Sequence, residues 1–389
     1  MATIYGNAGN NRLNGTASDD RIVARAGNDK IYGNGGRDVL FGDDGNDTIY
    51  LGKFGVYPTV FGSHVDGGAG TDLAILYLQN FTQNLTLAAS ASAYARVAAD
   101  MGDGSAQTVT ALRSIEEVIV YFGSGDDYFR SNGGKATILA GAGEDRLFGG
   151  NVVDYLSGQD GDDVLFGHGG NDLLAGGNGA DRIYGGDGKD NLSGDAGDDR
   201  MLGEAGDDFA YGGYGADVMF GGDGGDTLYG DDDDDRIYGE TGDDWLYAEQ
   251  GDDLIEGGDG RDLLSGGDGV DRLYGGLGPD TLHGGSGHDR FGWINPSEGG
   301  DRVLDFRQGQ DILLFDGAGF GGVTSVDASN FVSNSVGAAK DAADRFLFSQ
   351  NTGALFFDPD GNGAAAKTLI AHIEFIFGTE LAASDIRIG

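Results

Sequence analysis

The chain has 389 residues, no cysteine, 77 glycines, and 65 acidic against 24 basic residues, for a formal charge of −41 at pH 7. No disulfide can hold it together, and an isoelectric point near 4.1 disfavours nucleic acid as a partner. No apolar run approaches the length of a membrane-spanning helix, and the opening MATIYGNAGN lacks the basic and apolar regions of a cleavable signal peptide.

Five nine-residue units open the protein, at 6–14, 15–23, 24–32, 33–41 and 42–50, on the pattern G-G-x-G-x-D-x-U-x, where U is a large apolar residue. Position six holds Asn11, Asp20, Asp29, Asp38 and Asp47, and position eight holds Leu13, Ile22, Ile31, Leu40 and Ile49. The weak first unit, with Asn11, reads as a frayed cap. Repeats starting this near Met1 leave no room for a separate effector domain before them, as an expectation. Residues 51–66 break the register with an aromatic stretch containing Pro58, and one unit returns at 67–75 with Asp72. Residues 76–121 read as alternating strands, either longer coils that continue a solenoid or a small β-subdomain at its side.

From Phe122 to Gly292 the unit repeats 19 times without a slip of register. Position six is Asp127, Asp145, Asp154, Asp163, Asp172, Asp181, Asp190, Asp199, Asp208, Asp217, Asp226, Asp235, Asp244, Asp253, Asp262, Asp271, Asp280 and Asp289, with Ala136 the exception. Position eight is apolar throughout, from Phe129 and Ile138 to Leu282 and Phe291, with Ala210 the only small residue. A fixed period of this kind decides the fold before local propensity does. Three residues, x-U-x, are expected to form a short strand with U pointing inward, and G-G-x-G-x-D a turn. Two units make a coil of 18 residues, and coils stack about 4.8 Å apart. Glycine supplies the positive φ that the turns need.

Stacked aspartates repel one another unless a cation lies between them. Calcium suits such a place, since it takes six to eight oxygens from carboxylates and carbonyls in flexible geometry. One ion between turns i and i+2 gives at most 17 places in the long run and three in the short one, about 20 in all. The nonapeptide resembles that of the RTX (repeats-in-toxin) family. The resemblance implies an all-β, right-handed parallel β-roll of 18-residue coils with stacked calcium sites. It also implies export by a type I secretion channel, guided by an uncleaved C-terminal signal. Calcium dependence, absent cysteines and no cleavable signal agree with an extracellular destination.

Residues 293–389 lose the glycine period and read as strands, one acidic loop and a closing strand. They resemble the C-terminal region that caps the roll and carries the export signal in secreted metalloproteases of the serralysin type. Phe306, Phe315, Phe346, Phe348, Phe356, Phe357, Phe375 and Phe377 are expected to fill a small core. Asp358, Asp360 and Asn362 stand at D-x-D-x-N spacing, a candidate for one further ion, though Leu369 stands where an EF-hand loop carries its closing glutamate. The domains expected are thus a short repeat block (1–50), an insert (51–121), the main roll (122–292) and a C-terminal cap (293–389).

Catalytic motifs are missing. There is no H-E-x-x-H, no G-x-S-x-G, no cysteine nucleophile and no phosphate loop, and the five histidines are scattered. A candidate binding face comes from sorting alternate units. Position seven of one sheet carries Arg146, Arg182, Arg200, Arg236, Arg272 and Arg290, and position nine carries Phe148, Phe166, Tyr184, Phe220, Tyr238 and Tyr274. Such a stripe suits an acidic polysaccharide, a lipopolysaccharide or a second subunit, while the alternative is that arginine only offsets the aspartate field. The leading reading is a non-enzymatic, calcium-folded extracellular protein serving as a surface-layer, matrix or adhesin-like component. The alternatives are a glycan-acting accessory protein or enzyme and, against the lack of apolar helices, a membrane-active protein.

Overall fold

The computed structural model describes residues 1–52, 63–78, 85–89, 95–100, 106–113, 115–131, 133–361, 366–377 and 380–389, with backbone only for the strands between 85 and 113. The fold is all-β, a parallel β-roll whose coils recur about every 18 residues. The chain divides into two compact units, Met1–Arg200 and Met201–Gly389.

In the first unit, strand Val164–Gly169 pairs in parallel with Arg182–Asp187 as Val164↔Arg182, Leu165↔Ile183, Phe166↔Tyr184, His168↔Gly186 and Gly169↔Asp187. This corrects the expected three-residue strand. Pairing runs on through positions two and three of the next unit, skipping Gly167 at position one. Position two pairs with positive φ, which is why polar residues such as His168 (φ 74°) and Gln159 (φ 82°) replace glycine there: the left-handed region tolerates them. The turn proper is therefore only positions four to six.

Both rows of strands cross the insert within this unit. On one side Thr48–Leu51 pairs with Leu73–Tyr77, then Glu117–Tyr121, then Lys135–Ala142, all in parallel. On the other, Val39–Asp44 pairs with Ser63–Ala69, which pairs with Ala106–Arg113. That strand continues antiparallel to Ala95–Asp100 and Leu85–Ala89, and the last returns in parallel to Tyr128–Ser131. The stretch with Pro58 lies outside the described residues.

In the second unit Leu263–Gly269 pairs with Thr281–Gly287, and this pairs with Asp301–Arg307 and then Thr368–Phe377. The other row runs through Arg272–Leu277, Arg290–Trp293, Ile312–Phe315 and Ile386–Ile388. The C-terminal segment thus extends both rows and adds an antiparallel hairpin, Phe346–Ser349 with Ala354–Phe357. Position-eight residues are buried in both units, Leu165, Leu174 and Ile183 in the first and Ile237, Leu246 and Leu264 in the second. Of the expected aromatic core, Phe306, Phe315, Phe346, Phe348 and Phe357 are buried. Phe356 and Phe375 are only half-buried, Lys367 lying over the Phe356 ring, and the Phe377 side chain lies outside the described residues. Trp293 and Phe320 fill the space instead, with Phe315 5.2 Å from Trp293 and 5.0 Å from Phe320.

Candidate metal centres

The repeat places its position-six aspartates inside the turns, one above another. In the regular turns the carboxylate receives a hydrogen bond at Oδ1 from the backbone N–H of the position-six residue one coil earlier, usually an aspartate. Asp145 N donates to Asp163 Oδ1 and Asp163 N to Asp181 Oδ1, both at 2.7 Å. In the other row Asp154 N donates to Asp172 Oδ1 at 2.7 Å. In the second unit Asp226 N reaches Asp244 (2.8 Å), Asp244 N reaches Asp262 (2.9 Å), and Asp235 N reaches Asp253 (2.8 Å). Position five forms a zipper in the opposite sense, which the motif's x conceals: Ala180 N donates to Asp162 Oδ1, and Arg261 N to Asp243 Oδ1.

The second carboxylate oxygen is the one left over. Among the described residues, Oδ2 is buried without a hydrogen-bond partner in Asp29, Asp47, Asp72, Asp145, Asp163, Asp172 and Asp181 of the first unit. The same is true of Asp226, Asp235, Asp244, Asp253, Asp262, Asp271, Asp280 and Asp289 in the second. A buried acceptor with no donor is costly, and a buried charge more so. Burial pushes Asp163 and Asp235 up to about 8 and Asp145, Asp172, Asp226, Asp262 and Asp271 up to about 7. In each the N–H from the coil below opposes this, and neighbouring carboxylates add to it. Asp127, Asp190, Asp199, Asp208 and Asp217 are buried in equivalent turns.

Calcium fits this donor set. No three His, Cys, Asp or Glu side chains converge among the described residues, so an ion has to take backbone carbonyls beside carboxylate oxygens, as a hard cation does. The carbonyls are at hand. A methyl group built on Gly158 would strike Asp163 Oδ2 and stand 2.8 Å from the Gly176 carbonyl. One on Gly221 would strike Asp226 Oδ2, 2.8 Å from the Gly239 carbonyl. At Gly158 and Gly221, glycine at position one leaves room for oxygen atoms of two coils.

Not every predicted ligand has a bare oxygen. Asp20 Oδ1 accepts from Ala2 N (3.0 Å), and its Oδ2 accepts from Thr16 N (2.5 Å) and Thr16 Oγ1 (2.8 Å). Burial raises this group, but these bonds outweigh it and hold it below the usual carboxylate range. Asp154 accepts from Ala136 N and Gly150 N, both at 2.6 Å. Asn11 is not frayed: its N and Nδ2 donate to Asp29 Oδ1 at 2.6 and 2.9 Å, the amide adding a donor that an aspartate lacks. Asp38 is buried at position six and accepts from Asp20 N at 3.0 Å.

The rows also contain residues that the nonapeptide pattern does not find. Ser63 accepts from Asp38 N, and Glu116 from Asp72 N, at the places of position six in the longer coils. Asp301 and Asp311 continue the rows into the C-terminal segment, accepting from Asp280 N (2.9 Å) and Asp289 N (3.1 Å). The legible signal was the D-x-U triplet alone, D-R-V and D-I-L. At the acidic loop Asp360 N donates to Asp358 Oδ1 at 3.2 Å and burial raises Asp358, while Asn362 lies outside the described residues.

On the outward face of the first unit the rings of Tyr128, Phe148, Phe166 and Tyr184 follow one another at 5.3, 5.0 and 4.3 Å. Phe220 and Tyr238 stack at 4.8 Å in the second unit. Tyr274 does not extend that stack, because Glu256 occupies the coil between; it lies over Gly292 instead. Arg146, Arg182, Arg236 and Arg272 are exposed and make no ion pair among the described residues, and Arg200 is exposed as well.

Ten segments, most of them overlapping, match the family model for the RTX calcium-binding nonapeptide repeat: residues 3–31, 14–49, 121–156, 148–183, 157–192, 166–201, 175–210, 193–228, 229–264 and 265–291. Together they take in 3–49 and 121–291, more than half of the chain, leaving Asp72, Asp358, Asp360 and Asn362 outside. No curated protein sequence matches the chain. Among solved structures, it is similar to the solution structure of the AlgE6R3 subunit from the Azotobacter vinelandii mannuronan C5-epimerase, at 26% identity over 43% of this chain and 79% of that one, with a TM-score of 0.25.

Proposed function

We propose that this chain, which belongs to the RTX calcium-binding nonapeptide repeat family, is a secreted structural protein that folds on meeting extracellular calcium and serves at a cell surface or in a matrix. The repeats bind calcium at multiple sites. The observation that carries the reading is the row of buried, donorless Oδ2 atoms. At neutral pH and low calcium these carboxylates disfavour the coil, and at millimolar calcium an ion that binds only the folded state stabilises it. Folding is thereby delayed until the chain has left the cell, with 293–389 as cap and export region. A calcium titration of the EDTA-stripped protein, followed by circular dichroism and light scattering, tests this. A cooperative gain of β signal near millimolar calcium with growth into ordered particles is the expected result. The absence of any transition would defeat the reading.

One observation favours a second reading, in which the roll binds an acidic polysaccharide or lipopolysaccharide, as an accessory to glycan chemistry. Arg146 and Arg182 stand two coils apart through Val164, and Arg236 and Arg272 two coils apart through Leu254, about 10 Å in each case. Their guanidinium groups are exposed and make no ion pair among the described residues, which leaves them open to an external anion, beside rings suited to the flat faces of sugars. A transition on calcium that leaves the protein monomeric, with retention on an acidic polysaccharide column, would favour this reading over self-assembly.

A further inference from the structure

The turns fall into two kinds according to the residue at position four. In the turns of Asp29, Asp47, Asp72, Asp145, Asp163, Asp172 and Asp181 this is a glycine with φ between +118° and +145°. In those of Asp226, Asp244, Asp253, Asp262, Asp271, Asp280 and Asp289 it is a glycine between +129° and +157°. These values lie beyond the left-handed region open to other residues. All of these turns leave Oδ2 without a donor. Where position four is Ser18 or Val152, φ is negative, and the N–H at position two swings toward the carboxylate. It lies 2.5 Å from Asp20 Oδ2 in the first case and 2.6 Å from Asp154 Oδ2 in the second. The C-terminal segment repeats the arrangement: Gly309 takes φ +78°, and Arg307 N donates to Asp311 Oδ2 at 2.6 Å.

We propose that position four decides which turns take calcium: a glycine held at a φ of +118° or more leaves a bare oxygen for the ion, whereas the turns of Ser18, Val152 and Gly309 supply an N–H in its place. The Val152 turn is then a calcium-free coil inside the roll. It follows Ala136, which has no carboxylate, so two successive places in one row lack a site and the ions of that row are split into two runs. Asp20 closes the first unit's other row at its start, and Asp311 closes a row of the second unit, in the same way. Asp233 marks the boundary of the rule. It is not glycine, yet it holds φ +81°, and Asp235 Oδ2 stays bare, so this turn belongs with the calcium sites.

The test counts calcium per folded chain by atomic emission after gel filtration in about 1 mM calcium. Val152→Gly should gain at least one ion, Asp163→Ala should lose at least one, and Asp154→Ala should leave the count unchanged. The proposal is overturned if Asp154→Ala loses as many ions as Asp163→Ala, or if Val152→Gly, folded by circular dichroism, gains none. Should Asp154→Ala fail to fold, Val152→Gly decides alone, since glycine is what neighbouring turns carry at that position.

Discussion

Within the second unit, the repeat coils up to Gly292 and the segment that follows them solve the same problem by different means. Each 18-residue coil buries two position-eight side chains, such as Ile237 with Leu246 or Ile255 with Leu264, and nothing larger. The following segment packs Trp293, Phe315, Phe320, Phe346 and Phe357 against one another, with Phe315 4.9 Å from Phe346 and Phe320 5.0 Å from Phe357. Its buried carboxylates are answered by protein groups: Trp293 Nε1 donates to Asp301 Oδ2 at 2.7 Å and Arg307 N to Asp311 Oδ2. The coils answer only Oδ1 of theirs, with a backbone N–H, and leave Oδ2 without a donor. A conventional aromatic core tolerates the loss of metal; a thin core wrapped around unanswered carboxylates does not.

The sharpest way to break this comparison is to remove calcium while watching the two regions separately. Trp245 is 54% exposed in a repeat strand and Trp293 is 1% exposed in the following segment. In Trp245→Phe, Trp293 becomes the only tryptophan. As calcium is lowered, most of the β signal should disappear before Trp293 emission shifts to the red. Coincident transitions would make the two regions a single cooperative unit.

A proton can replace the cation. Folded-state values of about 7 to 8 for Asp145, Asp163, Asp226, Asp235 and Asp271 lie above the unfolded value of about 3.9. The folded chain therefore holds more protons, and the calcium-free fold is most stable below about pH 4 and loses stability as pH rises to about 8. EDTA-stripped protein should regain β signal at pH 5 and lose it at pH 8, and the calcium concentration needed for folding should fall as pH falls. Asp20, held low, contributes with the opposite sign. A stripped protein equally unfolded at both pH values would remove protonation from the account.

Core truncation sharpens the contrast further. Leu264→Ala, at a fully buried position, should cost about 2–5 kcal/mol and appear as a higher calcium midpoint. Phe315→Ala should cost about 3–5 kcal/mol and shift Trp293 emission instead. The smallest effect belongs to the surface: Arg236→Ala with Arg272→Ala should change stability by no more than about 0.5 kcal/mol each, while weakening retention on an acidic polysaccharide. Retention unchanged by the double substitution would return the arginines to charge balance alone.

Much of this was legible in the chain because the signal is periodic. Position eight identified the core residue of every coil, and position six the carboxylates. The period could not show that Ser63 and Glu116 take position-six places across 25 and 44 residues, because the loops between them vary in length while the strand register does not. Nor could it show that Phe356 and Phe375 face partly outward while Phe320 faces in, since hairpin geometry rather than spacing sets those directions.

From its sequence alone this protein is an 18-residue parallel roll with stacked acidic turns, because a nine-residue period leaves only one way to bury its apolar position. Which aspartates keep an oxygen for calcium was decided by the tertiary structure. Asp154 and Asp163 are the same letter at the same position; Val152 in a glycine place already marks the first turn as irregular in the sequence, but that the N–H of Gly150 then meets the carboxylate becomes visible only once the coils are stacked.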